Sequence, residues 1–260
     1  MKYGSLKSLA WAGVVAICGM PTAHAGWVTV TDSGSPVLTS CNPKPFTVPA
    51  PSTCLLTGNT LVAALGTGYI LRSSTSASIT INGVTVGTLY DRVYCLGSGT
   101  TCSSANTYVL GTRVRLNSNA WNGHSSESFE INDIIRLIKN GVAADSAYWM
   151  GPTSGGSTTS PSPDLGLANQ KWLEYTGKTQ YGLNDASVGV RDNNYIDHRQ
   201  DANANDPDGV SSEWSAWLLV RQVCSGGVAT TRPSFTIKLW EGGEESQDHY
   251  TQWMAGYRCS

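Results

Sequence analysis

The densest group of side chains with ligand chemistry lies between Asp192 and Asp208, where the sequence contains five Asp and four Asn residues. Calcium prefers the oxygens of carboxylates and amides and takes about six to eight of them. So many acidic groups are also difficult to pack closely without a counter-ion or wide exposure to solvent. We expect a loop here, with a candidate calcium site formed by Asp201, Asn203, Asn205, Asp206 and Asp208.

The spacing within this loop matches only part of a known calcium motif. Asp201, Asn203 and Asn205 occupy alternate positions, as in the first half of an EF-hand loop. That loop needs Gly where this chain has Asp206, and a bidentate Glu where it has Ser212, so the segment is not an EF-hand. Asp and Asn are also common in turns, because their side chains bond to nearby backbone amides. An Asx-rich turn without metal is therefore the alternative.

The region from 192 to 213 also allows a catalytic interpretation. Asp197, His198, Asp201 and Glu213 could supply an acid and a base for cleaving a glycosidic bond, provided that the fold gathers them in one cleft. The chain has no G-x-S-x-G sequence and no pair of His with the spacing of a zinc-binding helix. Whether the protein is an enzyme stays open, and the sequence favours a non-catalytic role.

Tryptophan is the other residue type that suggests binding. Eight Trp follow residue 25, beside only three Phe in the whole chain. Trp rings stack on the faces of sugars and anchor protein interfaces, although most of them must fill the core. A flat exposed face of Trp would favour a binding protein, whereas a cleft gathering the four candidate catalytic residues would favour an enzyme.

The first 25 residues have the pattern of a secretory signal peptide. Lys2 and Lys7 form a basic start, an apolar run follows from Leu9 to Met20, and Ala23-His24-Ala25 fits a cleavage site after Ala25. The apolar run is too short to span a membrane. The sequence therefore predicts a secreted protein, extracellular or periplasmic, in which residues 26–260 form a single β-rich domain.

Composition and cysteine content agree with export. Without the signal peptide, 15 basic residues remain against 19 acidic ones, and the resulting net charge of −4 argues against nucleic acid as a partner. Six Cys remain after Cys18 is removed, an even number that indicates disulfides, and the absence of a C-x-x-C pair argues against zinc. Short loops close most readily, which favours the pairs Cys41–Cys54, Cys95–Cys102 and Cys224–Cys259.

The elements expected to position these residues are mostly strands. Asn82-Gly83, between alternating apolar runs, predicts a tight hairpin, and the run from Trp217 to Val223 predicts a strand inside a sheet. We also expect a strand over Leu61–Leu65, a short helix over Ile131–Ile138 and an irregular Ser/Gly/Pro-rich loop over 152–163. The fold class is a disulfide-stabilised β-sandwich or jelly roll with long loops and at most one or two short helices.

These observations favour an exported, non-catalytic extracellular or cell-surface protein. Such a protein would bind glycan or a surface protein, or form part of a surface structure, with calcium as a candidate stabilising ion. The alternative is a secreted hydrolase that acts on a polysaccharide or an ester through acidic residues of the region 192–213. The sequence does not determine the ligand, the substrate or the oligomeric state.

Overall fold

The computed structural model describes residues 26–34, 37–41, 54–121, 128–150, 170–180, 190–205, 212–242 and 249–260. The predicted signal peptide, the predicted loop at 152–163, Asp206 and Asp208 lie outside the described residues. The described chain forms, in order, β1 (Val28–Val30), β2 (Leu38–Ser40), α1 (Leu61–Leu65), β3 (Tyr69–Ile81), β4 (Val84–Ser98), β5 (Thr101–Cys102), β6 (Thr107–Leu116), β7 (Glu130–Leu137), β8 (Ala144–Trp149), β9 (Gln170–Lys171), β10 (Tyr175–Gly177), β11 (Tyr195–Asn203), β12 (Trp214–Ser215), β13 (Trp217–Val223), β14 (Ile237–Glu241) and β15 (Tyr250–Met254).

The strands form two sheets. Sheet A runs β1-β8-β13-β6-β4-β3, and β5 pairs with β4. In addition, β12 pairs with β6, and β9 pairs with β12. Sheet B runs β15-β14-β7-β11-β10-β2. All pairings between these strands are antiparallel except that of β12 with β9, and several of them join strands that are distant in sequence. The chain is mainly β, as predicted.

The two sheets pack face to face around one apolar core. Sheet A contributes Ile79, Leu89, Val114 and Leu218, and sheet B contributes Ile134, Leu239 and other buried side chains. Since successive side chains of a strand point to opposite faces, these residues define the inner face of each sheet. This arrangement is the β-sandwich expected from the sequence.

Sheet A is also covered on its outer face, which explains why its central strands are apolar throughout. Leu61 and Leu65 of α1 pack there on Trp149 and Trp217. Beside them, the guanidinium of Arg92 lies 4.7 Å from the centre of the Trp217 ring, a cation–π distance. A second stack places Arg113 and Arg115 at 4.3 and 5.2 Å from the Trp214 ring. Most Trp of sheet A therefore serve packing.

The hairpin between β3 and β4 has the geometry that its sequence predicts. Asn82 and Gly83 have φ angles of 51° and 83°, and Ile81 and Val84 pair on either side of them. Positive φ at both central residues is the requirement of a type I′ turn, which Asn and Gly meet most easily. The prediction at this turn is confirmed.

Two predicted elements were wrong. Residues 130–137 form strand β7, not a helix, because β-branched Ile favours strands and this central strand is buried on both faces. Burial on both faces removes the alternation by which a strand is recognised. Conversely, Leu61–Leu65 forms helix α1, whose Thr60 cap accepts a hydrogen bond from the amide of Ala63. Leu61 and Leu65, four residues apart, place their apolar side chains on one helical face.

The three disulfides join the pairs that local loop closure favours. Their Cα–Cα distances are 5.3 Å for Cys41–Cys54, 5.6 Å for Cys95–Cys102 and 5.1 Å for Cys224–Cys259. These distances lie in the usual range for a disulfide. No helix within the described ranges is both long enough and apolar enough to cross a membrane.

Candidate binding face on sheet B

The outer face of sheet B presents two neighbouring rows of charged and aromatic side chains. Residues directly opposite one another across antiparallel strands share a face of the sheet. The register places Asp197 of β11 in one row with Lys238 and Trp253. The next row contains Tyr175, Arg199, Asp133, Trp240 and Thr251. Five neighbouring strands, β10, β11, β7, β14 and β15, therefore supply these two rows of polar and aromatic side chains.

Two buried carboxyl groups lie at the centre of these rows. Asp133 and Asp197 are fully buried, and burial raises the pKa of Asp133 to about 6. The pKa of Asp197 is also raised well above its usual value, first by burial and then by the neighbouring Asp133 carboxylate. The second cause shows that the two carboxyl groups lie close enough to interact. We call Asp133 and Asp197 the acid pair.

Cationic side chains surround the acid pair. Arg199 approaches Asp133 Oδ2 at 3.4 Å and Glu174 Oε2 at 3.8 Å. Lys238 Nζ donates to the carbonyl oxygen of Gln180 at 2.6 Å, and burial lowers the pKa of this half-buried amine. Both acids of the pair are inaccessible to water in this conformation.

Accessible aromatic rings lie on the same side of the sheet. The centre of the Trp253 ring is 6.3 Å from that of Tyr195 and 5.7 Å from that of Phe235. Phe235 is 64% exposed and has a φ of 65°, a conformation that bulky residues rarely adopt. Backbone strain of this kind is enriched at functional sites. We call Tyr195, Phe235 and Trp253 the aromatic cluster.

A second pair of rings continues this surface. Trp240, on the outer face of β14, stacks on exposed His249 with ring centres 6.1 Å apart and an interplanar angle of 20°. Thr251, directly opposite Trp240 on β15, is exposed. Rings and hydroxyl groups thus lie side by side along β14 and β15, at the accessible edge of sheet B.

The structure does not gather the four residues of the catalytic interpretation. Residues 195–203 form strand β11, not the loop expected from the sequence, so Asp197 points outward and His198 inward. Asp201 lies within an irregularity of the strand pairing, between Arg199 and Ala202. Glu213 is 42% exposed and pairs with Arg115 of sheet A at 3.4 Å. Asp197 and His198 therefore cannot act on the same substrate, and Glu213 belongs to the other sheet.

His198 has polar partners inside the sandwich. Its Nε2 lies 3.1 Å from Ser146 Oγ, and the Thr176 hydroxyl donates to the same oxygen at 2.8 Å. A Ser–His contact can activate a nucleophile, but these three residues are at most 1% exposed. Burial lowers the pKa of His198 to about 3, so the ring is neutral near pH 7. This contact joins the two sheets and stabilises the interior.

The described part of the candidate calcium segment forms an Asx turn. Asn203 Oδ1 accepts hydrogen bonds from Ser128 Oγ at 2.7 Å and from the Asn205 amide at 2.9 Å. The backbone groups of Asn203 and Ser212 pair across the segment between them. Within the described ranges, no three His, Cys, Asp or Glu side chains form a group suited to a metal. With Asp206 and Asp208 outside these ranges, the calcium site stays a prediction.

Sequence reasoning missed the residues that define the outer face of sheet B. A signal was present for Asp133, since a lone Asp in an Ile-rich run indicates a buried charge that needs partners. Phe235 gave no such signal, because its unusual φ depends on the surrounding fold. Lys238 alternates with apolar residues in β14, which indicated its face but not its neighbours.

Known proteins offer no match to this chain. No protein-family model, no curated protein and no solved structure matches it. The candidate face is therefore interpreted from its own geometry.

Proposed function

We propose that this protein is an exported, non-catalytic extracellular or cell-surface protein that binds glycan on the outer face of sheet B. The observation that carries the proposal is the aromatic cluster, in which strongly exposed Phe235 lies against Trp253 and Tyr195. The apolar faces of sugar rings stack on such side chains. Three disulfides agree with an oxidising compartment outside the cytosol.

Polar groups beside the rings suit the hydroxyl groups of a sugar. Lys238 and Thr251 lie on the same face as Trp253 and Trp240. The Tyr195 pKa is raised by burial and by Asp192, so its hydroxyl stays protonated and can donate. Apolar stacking with a few placed donors is the usual composition of a small-ligand site. A surface protein is the second candidate ligand, because exposed aromatic residues also anchor protein interfaces.

Replacing Trp253 or Phe235 by Ala should weaken glycan binding roughly tenfold or more, since each ring supplies stacking area. The measurement is affinity electrophoresis and pull-down against a panel of soluble and insoluble polysaccharides. Leu71→Ala is the matched control, because Leu71 is 45% exposed but lies on sheet A. Equal binding by all three variants, or no binding of any polysaccharide by the unaltered protein, would contradict the proposal.

The alternative of a secreted polysaccharide or ester hydrolase has less support. Asp197, His198 and Glu213 point in different directions, and the acid pair of Asp133 and Asp197 is sealed from solvent. A hydrolase needs its acid and base on either side of an accessible substrate. Release of soluble sugars or acids by the unaltered protein, lost in Asp197→Asn, would favour this alternative.

Calcium binding by the segment from Asp201 to Asp208 is part of the proposal, on the basis of its carboxylate content. The side chains of Asp201, Asn203, Asn205, Asp206 and Asp208 would supply the oxygen ligands. Such an ion would brace the chain that leads into β12 and β13.

EDTA should lower the melting temperature by several degrees, and calcium should restore it where magnesium does not. An ion that binds only the folded state stabilises it by about 2.7 kcal/mol at a hundredfold excess over its dissociation constant. Differential scanning calorimetry measures the change, and Asp201→Ala should abolish the response to calcium. Superimposable melting curves in EDTA and in calcium would leave an Asx turn without metal.

A further inference from the structure

Strand β3 forms an open edge of sheet A that is far longer than the other described edges. It spans 13 residues, and β4 is its only partner strand within the described ranges. The opposite edge of sheet A is β1, with three residues, and sheet B ends at β2 and β15, with three and five. A strand at an edge presents a row of backbone donors and acceptors without partners in its own sheet.

The side chains of β3 lack the usual protection of an edge. From Ser73 to Ile81 the strand contains no Lys, no Pro and no charged residue, only Ser, Thr, Ala and Ile. Natural edge strands are normally short, charged, bulged, interrupted by Pro or covered, because open edges recruit other chains. The two irregularities in the pairing of β3 lie between Leu71 and Ser73 and between Ile79 and Thr80, so the segment from Ser73 to Ile79 between them is regular. The side chains of Ser74, Ser76 and Ser78 are exposed, so nothing bulky prevents a second strand from approaching.

We propose that two copies of this chain associate through β3, whose edges pair in antiparallel fashion about a two-fold axis. The pairing would extend sheet A continuously from one copy into the other, through β4 and β3 of each. This inference goes beyond glycan binding and does not depend on it, because it concerns the sheet opposite the aromatic cluster.

The charge distribution favours a second copy of the chain as the occupant. When two identical strands pair antiparallel about a two-fold axis, a residue near the axis lies opposite the same residue of the partner or a close neighbour of it in sequence. Like charges that lie directly opposite one another destabilise such pairing. The uncharged run from Ser73 to Ile81 avoids this repulsion at every register centred within it. Arg72, at the start of the run, lies opposite a neutral residue when the axis is near Ala77. A strand from a charged partner would gain no such advantage.

The test combines sedimentation velocity with paired charge variants. The unaltered protein should sediment as a dimer at high concentration, and Ser76→Lys/Ser78→Lys should weaken the dimer by roughly tenfold or more, through repulsion across the axis. The variant Ser76→Glu/Ser78→Glu should be weakened similarly. An equimolar mixture of the two variants should regain the dimer, because opposite charges then face one another. Recovery on mixing cannot result from a general loss of folding.

The control variant carries an added positive charge on a different edge of the molecule. Thr251→Lys places the same charge on the edge strand of sheet B and should leave the dimer unchanged. If the unaltered protein is a monomer at all concentrations, the proposal is wrong. An extended segment of a different protein would then be the candidate partner for the β3 edge. A dimer that both double variants retain would overturn it as well. Neither outcome bears on glycan binding by Trp253.

Discussion

Replacing Arg136 by Met should lower the free energy of unfolding by about 3–5 kcal/mol, because it leaves a buried carboxylate without its cation. Arg136 Nη1 donates to Asp91 Oδ1 at 2.9 Å, and both side chains are 1% exposed. The pair joins β7 of sheet B to β4 of sheet A. Burial raises the pKa of Asp91, and Arg136 opposes that rise. Urea unfolding followed by Trp fluorescence measures the loss.

Two further variants distinguish loss of the partner from loss of packing. The double variant Asp91→Leu/Arg136→Met should recover most of the stability, since a buried ion pair can often be replaced by apolar side chains of similar volume. Arg221→Met breaks a partly exposed pair, Arg221 Nη2 to Asp145 Oδ2 at 2.8 Å, and should cost less than about 1 kcal/mol. A single Arg136→Met variant as stable as the unaltered protein would contradict the expectation.

Acidification from pH 6.5 to pH 3 should destabilise the fold by an amount on the order of 4 kcal/mol through His198 alone. Burial lowers the folded pKa of His198 to about 3, whereas the unfolded chain titrates near 6.5. The unfolded state therefore binds the proton first. The stabilising contribution is complete above pH 6.5 and is lost as the pH falls towards 3. Chemical unfolding at a series of pH values measures this loss of stability at low pH, which we call the acid limb.

The variant His198→Met should flatten the acid limb, although it also removes the contact with Ser146. His249→Asn is the matched control, because His249 is exposed and should leave the limb intact. The acid pair acts in the opposite direction. The raised pKa of Asp133, about 6, stabilises the fold fully below pH 3.8, and this contribution is lost as the pH rises through 6. If the acid limb persists in His198→Met, titratable groups other than His198 cause the loss of stability at low pH.

Features fixed by neighbouring residues could be predicted from the sequence. The Asn82-Gly83 turn depends on the φ preference of two adjacent residues, and Cys95–Cys102 closes a short loop. The apolar run of β13 likewise depends on the strand alone. These local rules were sufficient for the fold class and for the three disulfides.

Features fixed by partners distant in the chain could not be predicted. Strand β7 has a helix-like apolar pattern because sheet B is buried on both faces there, which only the tertiary packing determines. The juxtaposition of Asp133 and Asp197 depends on the register of β7 with β11, across more than 60 residues of sequence. A local reading grouped Asp197 with His198, although neighbours in a strand point to opposite faces.

The contacts of Tyr257 also constrain when the protein can fold. Its amide donates to Asp91 Oδ2 at 2.6 Å, although the two residues are separated by 166 positions in the sequence. Arg136 donates to the Tyr257 carbonyl oxygen, and Cys259 is tied to Cys224. During synthesis, the hydrogen bonds of Asp91 could be completed only after 166 further residues had been added. A nascent chain would therefore expose the strands around Asp91 to chaperones until Tyr257 has been synthesised.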